Sequence, residues 1–171
     1  MKRLWSPWRS AYIYSTGEKK VSGKGSLFTR LYQQENDEEN LILWRGERVF
    51  VMMNLYPYNS GHVMIVPVRE VANYEDLTEE EQTELSLTLA RVIQWLKKAL
   101  KPEGFNVGMN IGKVSGAGIP EHLHIHVVPR WAGDTNFMPT TCETKVISEA
   151  LKDTYYRIRA VIQAEESVQK P

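Results

Sequence analysis

Apolar and polar residues change period several times along this chain, and each period assigns an element. Residues 41–45 and 49–54 flank the turn Gly46-Glu47-Arg48 and predict a β-hairpin. Pro57 excludes a continued central strand, so 56–61 is expected as a loop. Residues 62–67 are mostly apolar and predict a buried strand. Thr78 and Glu81 have capping-box spacing, and Leu85, Leu89, Val92, Ile93, Leu96, Ala99 and Leu100 then recur at helical period. Lys97, Lys98 and Lys101 suit the C-terminal end of that helix dipole, and Pro102 with Gly104 stop it. Residues 105–111 alternate as a strand, 112–120 form a Gly/Ser-rich loop, and 121–129 read as the last strand.

The two ends complete the picture. A short helix is expected over Leu27–Gln33, ahead of an acidic turn at 35–39. A second capping pair, Thr140 and Glu143, opens a C-terminal helix at about 142–164, with Val146, Ala150, Leu151, Tyr155, Ile158 and Ile162 as its apolar stripe. The polar tail 165–171 is expected to fray. The arm 1–25 carries Trp5, Trp8, Tyr12, Ile13 and Tyr14, aromatics that suit packing against a surface. No repeat or linker divides residues 1–171, so one domain is expected. Its class is α+β: an antiparallel sheet of about five strands with a long helix and a C-terminal helix packed on it.

Composition narrows the chemistry. Lys plus Arg and Asp plus Glu both number 21, so no net positive charge attracts duplex nucleic acid. No apolar run approaches a membrane span or a secretory signal. Cys142 is the one cysteine, which permits neither an intrachain disulfide nor a Cys-rich zinc site. A cytoplasmic protein without nucleic-acid or membrane partners is the expectation.

Three of the four histidines stand at alternate positions, His122, His124 and His126. With a side-chain period of two, their imidazoles share one face while Leu123, Ile125 and Val127 point to the core. Two chemistries fit such a row. It could ligate a transition metal, with His62, Glu121 or Asp134 adding a ligand. It could instead supply a nucleophile or base with polar neighbours. The loop 110–118 favours the second: its glycines let backbone N–H groups approach an anion, Lys113 and Ser115 add donors, and Arg130 adds charge.

The segment His122-Leu123-His124-Ile125-His126-Val127-Val128 resembles the signature of the histidine triad (HIT) superfamily of nucleotide-binding hydrolases and transferases. Asn54 followed by His62 is similar to that family's ribose-binding residue and fourth histidine. The segments 4–9, 116–119 and 129–139 resemble the diadenosine tetraphosphate phosphorylase (ATP adenylyltransferase)-like branch, nearer to Fhit than to the small phosphoramidases.

This resemblance implies a HIT-like fold with its core at about 27–137. It implies nucleotidyl transfer at the α-phosphate of a dinucleoside polyphosphate, with phosphate, or alternatively water, as the acceptor. A nucleotide-binding regulatory protein with incidental catalysis is the reading from another class. His124 would be the nucleophile, His126 a donor to phosphate, and His122 and His62 orienting groups. Asn54 would bind ribose, Leu27, Phe28, Met52 and Leu55 the base, and Asn110, Lys113, Ser115 and Gly118 the phosphates. Trp131 would stack on a second base or cover a dimer seam. The resemblance also implies a homodimer, Mg2+ accompanying the polyphosphate, inorganic phosphate as co-substrate, and no tightly bound cofactor or metal. In one respect the chain departs from the family: Ser26 and Thr29 stand where some members carry a zinc-binding Cys-x-x-Cys pair.

Overall fold

The computed structural model describes residues 24–135 and 149–169. The arm up to residue 23, the Thr140 and Glu143 pair, Cys142, Val146 and residues 136–139 of the post-triad segment lie outside them. Helix α1 (Leu27–Gln33) leads into the hairpin β1 (Ile42–Arg45) and β2 (Val49–Met53), followed by β3 (Val63–Pro67). The long helix α2 (Glu79–Leu100) precedes β4 (Gly104–Met109) and β5 (Ile125–Arg130), and α3 (Leu151–Gln169) ends the chain. The sheet runs β1-β2-β3-β5-β4 with every neighbouring pair antiparallel. This is the α+β architecture read from the pattern.

Period-two alternation sorts the strands onto two faces. Val51, Met53, Val63, Ile65, Leu123, Ile125 and Val127 form one core with Leu85, Val92, Trp95 and Leu96 of α2 and Tyr155, Ile158 and Ile162 of α3. Each fully buried aliphatic residue contributes about 1.5–3 kcal/mol relative to exposure. Ile42, Phe50, Met52, Met64 and Val66 pack on the opposite face against Phe28 of α1. A bulge between Ile42 and Trp44 puts both Leu43 and Trp44 on the helix side.

Helix α2 starts where its box predicts. Thr78 Oγ1 accepts the Glu81 N–H at 3.2 Å, and Glu81 Oε2 accepts the Thr78 N–H at 2.9 Å. Lys101 caps the other end in the left-handed region at φ 51°, with Pro102 following.

Four boundaries differ from expectation. Helix α3 begins at Leu151, not near 142, because residues 149 and 150 are not helical and Glu149 folds forward to accept from Thr154 and Arg157. Its far end does not fray at 165: Glu165 is paired with Lys98 and lies near Arg91, so the helix continues to Gln169. Strand β5 starts at Ile125 because the N–H groups of His122 and Leu123 bond to Ile119 and Val71 carbonyls outside the ladder. Strand β4 ends at Met109, where the chain turns into the glycine loop.

Candidate functional site

The imidazoles stand on the sheet face that carries α1. In the ladder His126 lies between Met64 of β3 and Gly108 of β4. His122 and His124 reach the same face just ahead of the strand, where the Phe28 ring meets them edge-on at 5.6 and 5.0 Å. The His124 and His126 rings are 4.7 Å apart, and His62, at the start of β3, is 5.1 Å from His126. All four predicted histidines therefore form one cluster. Three of them, His62, His122 and His124, are buried.

The hydrogen bonds assign each ring's proton. The Tyr58 backbone N–H donates to His62 Nδ1 at 3.1 Å, so His62 carries its proton on Nε2. That proton is donated to His126 Nδ1 at 3.0 Å, which leaves neutral His126 with an N–H at Nε2. His124 Nδ1 faces the His122 carbonyl at 2.9 Å, and a carbonyl only accepts. His124 therefore holds its proton on Nδ1 and a lone pair on Nε2. His122 Nε2 faces the Pro67 carbonyl at 2.8 Å and donates to it.

Burial disfavours the charged forms of His62, His122 and His124. Desolvation, with the neighbouring His126 and His124, pulls His62 from 6.5 down to about 3. Desolvation also lowers His122 and His124, against the carbonyl hydrogen bonds that favour their charged forms.

The other expected residues divide into groups. Asn54 lies beside the cluster: its Nδ2 is 3.4 Å from His62 Nδ1, and its Oδ1 accepts the Tyr56 N–H at 3.0 Å in an Asx turn. Leu27, Phe28 and Met52 share one apolar cluster with Met64 and Ile119. Leu55 does not join that slot and is 57% exposed, because it sits on the turn past β2. Asn110, Lys113, Ser115 and Gly118 lie on or beside the exposed loop, where Ser115 Oγ donates to the Gly112 carbonyl at 2.7 Å. Trp131 is set apart from the imidazoles. It packs against the helix-side core, and its Nε1 donates to Lys101 O at 3.2 Å.

Sequence reading missed the supports. Asp134, a possible metal ligand by sequence, instead accepts from Arg130 Nε at 2.6 Å, Asn59 Nδ2 at 2.8 Å and the Trp131 N–H at 3.1 Å. The Arg130 guanidinium holds its carboxyl far below the usual range. Asn59 also donates to Pro129 O, and its own carbonyl accepts the His62 N–H, so this node ties the His62 loop to the end of β5. Tyr58 and Asn59 stand between Asn54 and His62 in sequence, which is the signal that could have found them. Among the described residues, no group of three or more His, Cys, Asp or Glu side chains is placed to hold a metal ion.

The HIT domain matches residues 34–133. The chain is 43% identical over 158 residues to a Mycobacterium tuberculosis protein named AP-4-A phosphorylase, covering 90% of this chain and 80% of that one. It is 36% identical over 89 residues to a bis(5'-adenosyl)-triphosphatase of Dictyostelium discoideum, covering 52% and 59%. A zinc-bound histidine triad family protein from Mycobacterium smegmatis has the same fold, with a TM-score of 0.68 at 18% identity, covering 85% of this chain and 98% of that one. With the domain match spanning the hairpin, the long helix and the imidazole cluster, the chain belongs to the HIT domain family.

Proposed function

We propose that this protein transfers a nucleotidyl group from a dinucleoside polyphosphate through His124, in the sense of phosphorolysis of diadenosine tetraphosphate to ATP and ADP. The observation that carries the reading is the state of His124. Its Nδ1–H is committed to a carbonyl, burial keeps the ring neutral, and a lone pair remains on Nε2. The likeness to a relative named AP-4-A phosphorylase, over nine-tenths of this chain, supports the substrate class.

In the first step Nε2 attacks the α-phosphorus. A P–N bond forms, the bridging P–O bond breaks, and ATP leaves while AMP stays on His124. His126 Nε2–H donates to the phosphate or leaving-group oxygen. In the second step an oxygen of inorganic phosphate attacks the same phosphorus, the P–N bond breaks, and ADP leaves. Asn54 binds the ribose hydroxyls, while Leu27, Phe28 and Met52 flank the base. Asn110, Gly118, Lys113 and Ser115 hold phosphate groups. Mg2+ travels with the polyphosphate, whose oxygens it prefers. The chain acts as a homodimer, for which the outer edge of β4 is a suitable seam.

The test is product analysis with diadenosine tetraphosphate and Mg2+, with and without inorganic phosphate. ADP formation that requires phosphate is expected. ATP and AMP at the same rate in both arms would make water the acceptor, as in a hydrolase. His124→Gly is expected to lose turnover by at least about a thousandfold while keeping its fold.

A further inference from the structure

Ser26 stands at the other end of the imidazole cluster from Tyr58. Its Oγ lies 2.6 Å from His122 Nδ1, and both residues are buried. Because His122 Nε2 already donates to Pro67 O, the neutral ring presents a lone pair at Nδ1, and the Ser26 hydroxyl is the donor. The hydroxyl is itself held in place. Ser26 N–H donates to Glu70 Oε2 at 2.6 Å, Thr29 Oγ1 donates to the same oxygen at 3.1 Å, and Ser26 Oγ accepts the Thr29 N–H at 3.2 Å. His122 is thus clamped at both ring nitrogens, by α1 on one side and the end of β3 on the other.

That clamp matters because His122 lies ahead of β5, where no ladder bond fixes its carbonyl. The same carbonyl accepts from His124 Nδ1. We infer that Ser26 is a positioning residue for nucleotidyl transfer: its hydroxyl fixes the His122 ring, and through the His122 carbonyl it aims the Nε2 lone pair of His124. The inference rests on the proposed role of His124, and Glu70 and Thr29 act behind Ser26 by holding its backbone and hydroxyl.

Ser26 also caps α1, so the variants must separate capping from donation. Ser26→Gly keeps a tolerable cap but removes the hydroxyl, and Ser26→Thr keeps both. With diadenosine tetraphosphate as substrate, Ser26→Gly is expected to lower kcat by about 10- to 100-fold with KM within about twofold. Ser26→Thr is expected to recover most of that loss. Proton–nitrogen correlation spectra of the imidazoles supply a readout independent of turnover. Wild-type His122 is expected as the Nε2–H tautomer and His124 as the Nδ1–H tautomer; in Ser26→Gly the His122 Nδ1 resonance is expected to shift, because it loses its donor, and the His124 Nδ1–H signal to broaden.

Unchanged kcat in Ser26→Gly overturns the inference. So does a lowered kcat with the His122 Nδ1 and His124 Nδ1–H signals unmoved, since that is a structural effect alone. If the wild type turns over no dinucleoside polyphosphate, the proposed function fails. The spectra then decide the clamp: wild-type signals retained in Ser26→Gly overturn it, and their loss supports it.

Discussion

His62 is held neutral by its surroundings, and that has a thermodynamic cost in acid. Its pKa in the fold is about 3, against 6.5 for an ordinary imidazole. Between those values the unfolded chain binds a proton that the folded chain refuses, so stability rises with pH through this window. The contribution is complete above about pH 6.5 and drains as pH falls toward 3. Urea unfolding at pH 7.5 and pH 5 should therefore differ, with about 2 kcal/mol lost from His62 alone and more from His122 and His124. His62→Asn should flatten that slope. Asn54→Ala belongs to the same scale: it should weaken nucleotide binding several-fold more than phosphate binding, measured by calorimetry with AMP and with inorganic phosphate. Equal losses would remove the ribose role. The row His122, His124 and His126 was legible because histidine is rare in the chain and these three alternate, whereas Asn54 and His62 were legible through the resemblance of their segment to the family. The imidazole tautomers were not, since backbone groups of Tyr58, Pro67 and His122 determine them and every residue carries such groups.

At the scale of elements, boundaries follow local chemistry where both partners are close in sequence. The Thr78 and Glu81 box reads directly from spacing, and Thr78→Ala should cost about 1 kcal/mol by thermal unfolding. The far end of α3 does not read from spacing, because the Glu165 partners, Arg91 and Lys98, lie on another helix. Gly61 shows how an element and the site depend on one backbone position. It sits at φ +74°, immediately before His62, and an added Cβ would overlap Leu100 Cδ1 at the end of α2. Gly61→Ala should destabilise the protein by about 1–3 kcal/mol and should disturb the His62 hydrogen bonds as well. A melting curve with an imidazole spectrum checks both. An unchanged Tm would show that neither the left-handed backbone nor the Leu100 contact resists a Cβ at this position.

For the molecule as a whole, the sheet divides two tasks between its faces. Helices α2 and α3 cover one face and fill it with aliphatic side chains; α1 and the imidazoles occupy the other. Strand β4 remains an edge strand, and Val107 on it is 45% exposed. If the proposed dimer joins there, Val107→Lys should block pairing, and sedimentation should fall from twice 19.7 kDa to 19.7 kDa. No described helix is long and apolar enough to cross a membrane.

The interleaving of Leu123, Ile125 and Val127 with the histidines also governs which genetic changes the segment can survive. Substitution alters one side chain and leaves the others on their faces. Deleting Leu123 would instead exchange the neighbours of His122 between interior and cleft, sending an imidazole under the helices and an aliphatic residue toward substrate. Folding and chemistry would then fail together. Such a chain should be recovered insoluble, whereas Leu123→Val should remain soluble and about 1 kcal/mol less stable. The segment's length, more than the identity of any single aliphatic residue in it, is therefore the quantity that inheritance must keep constant.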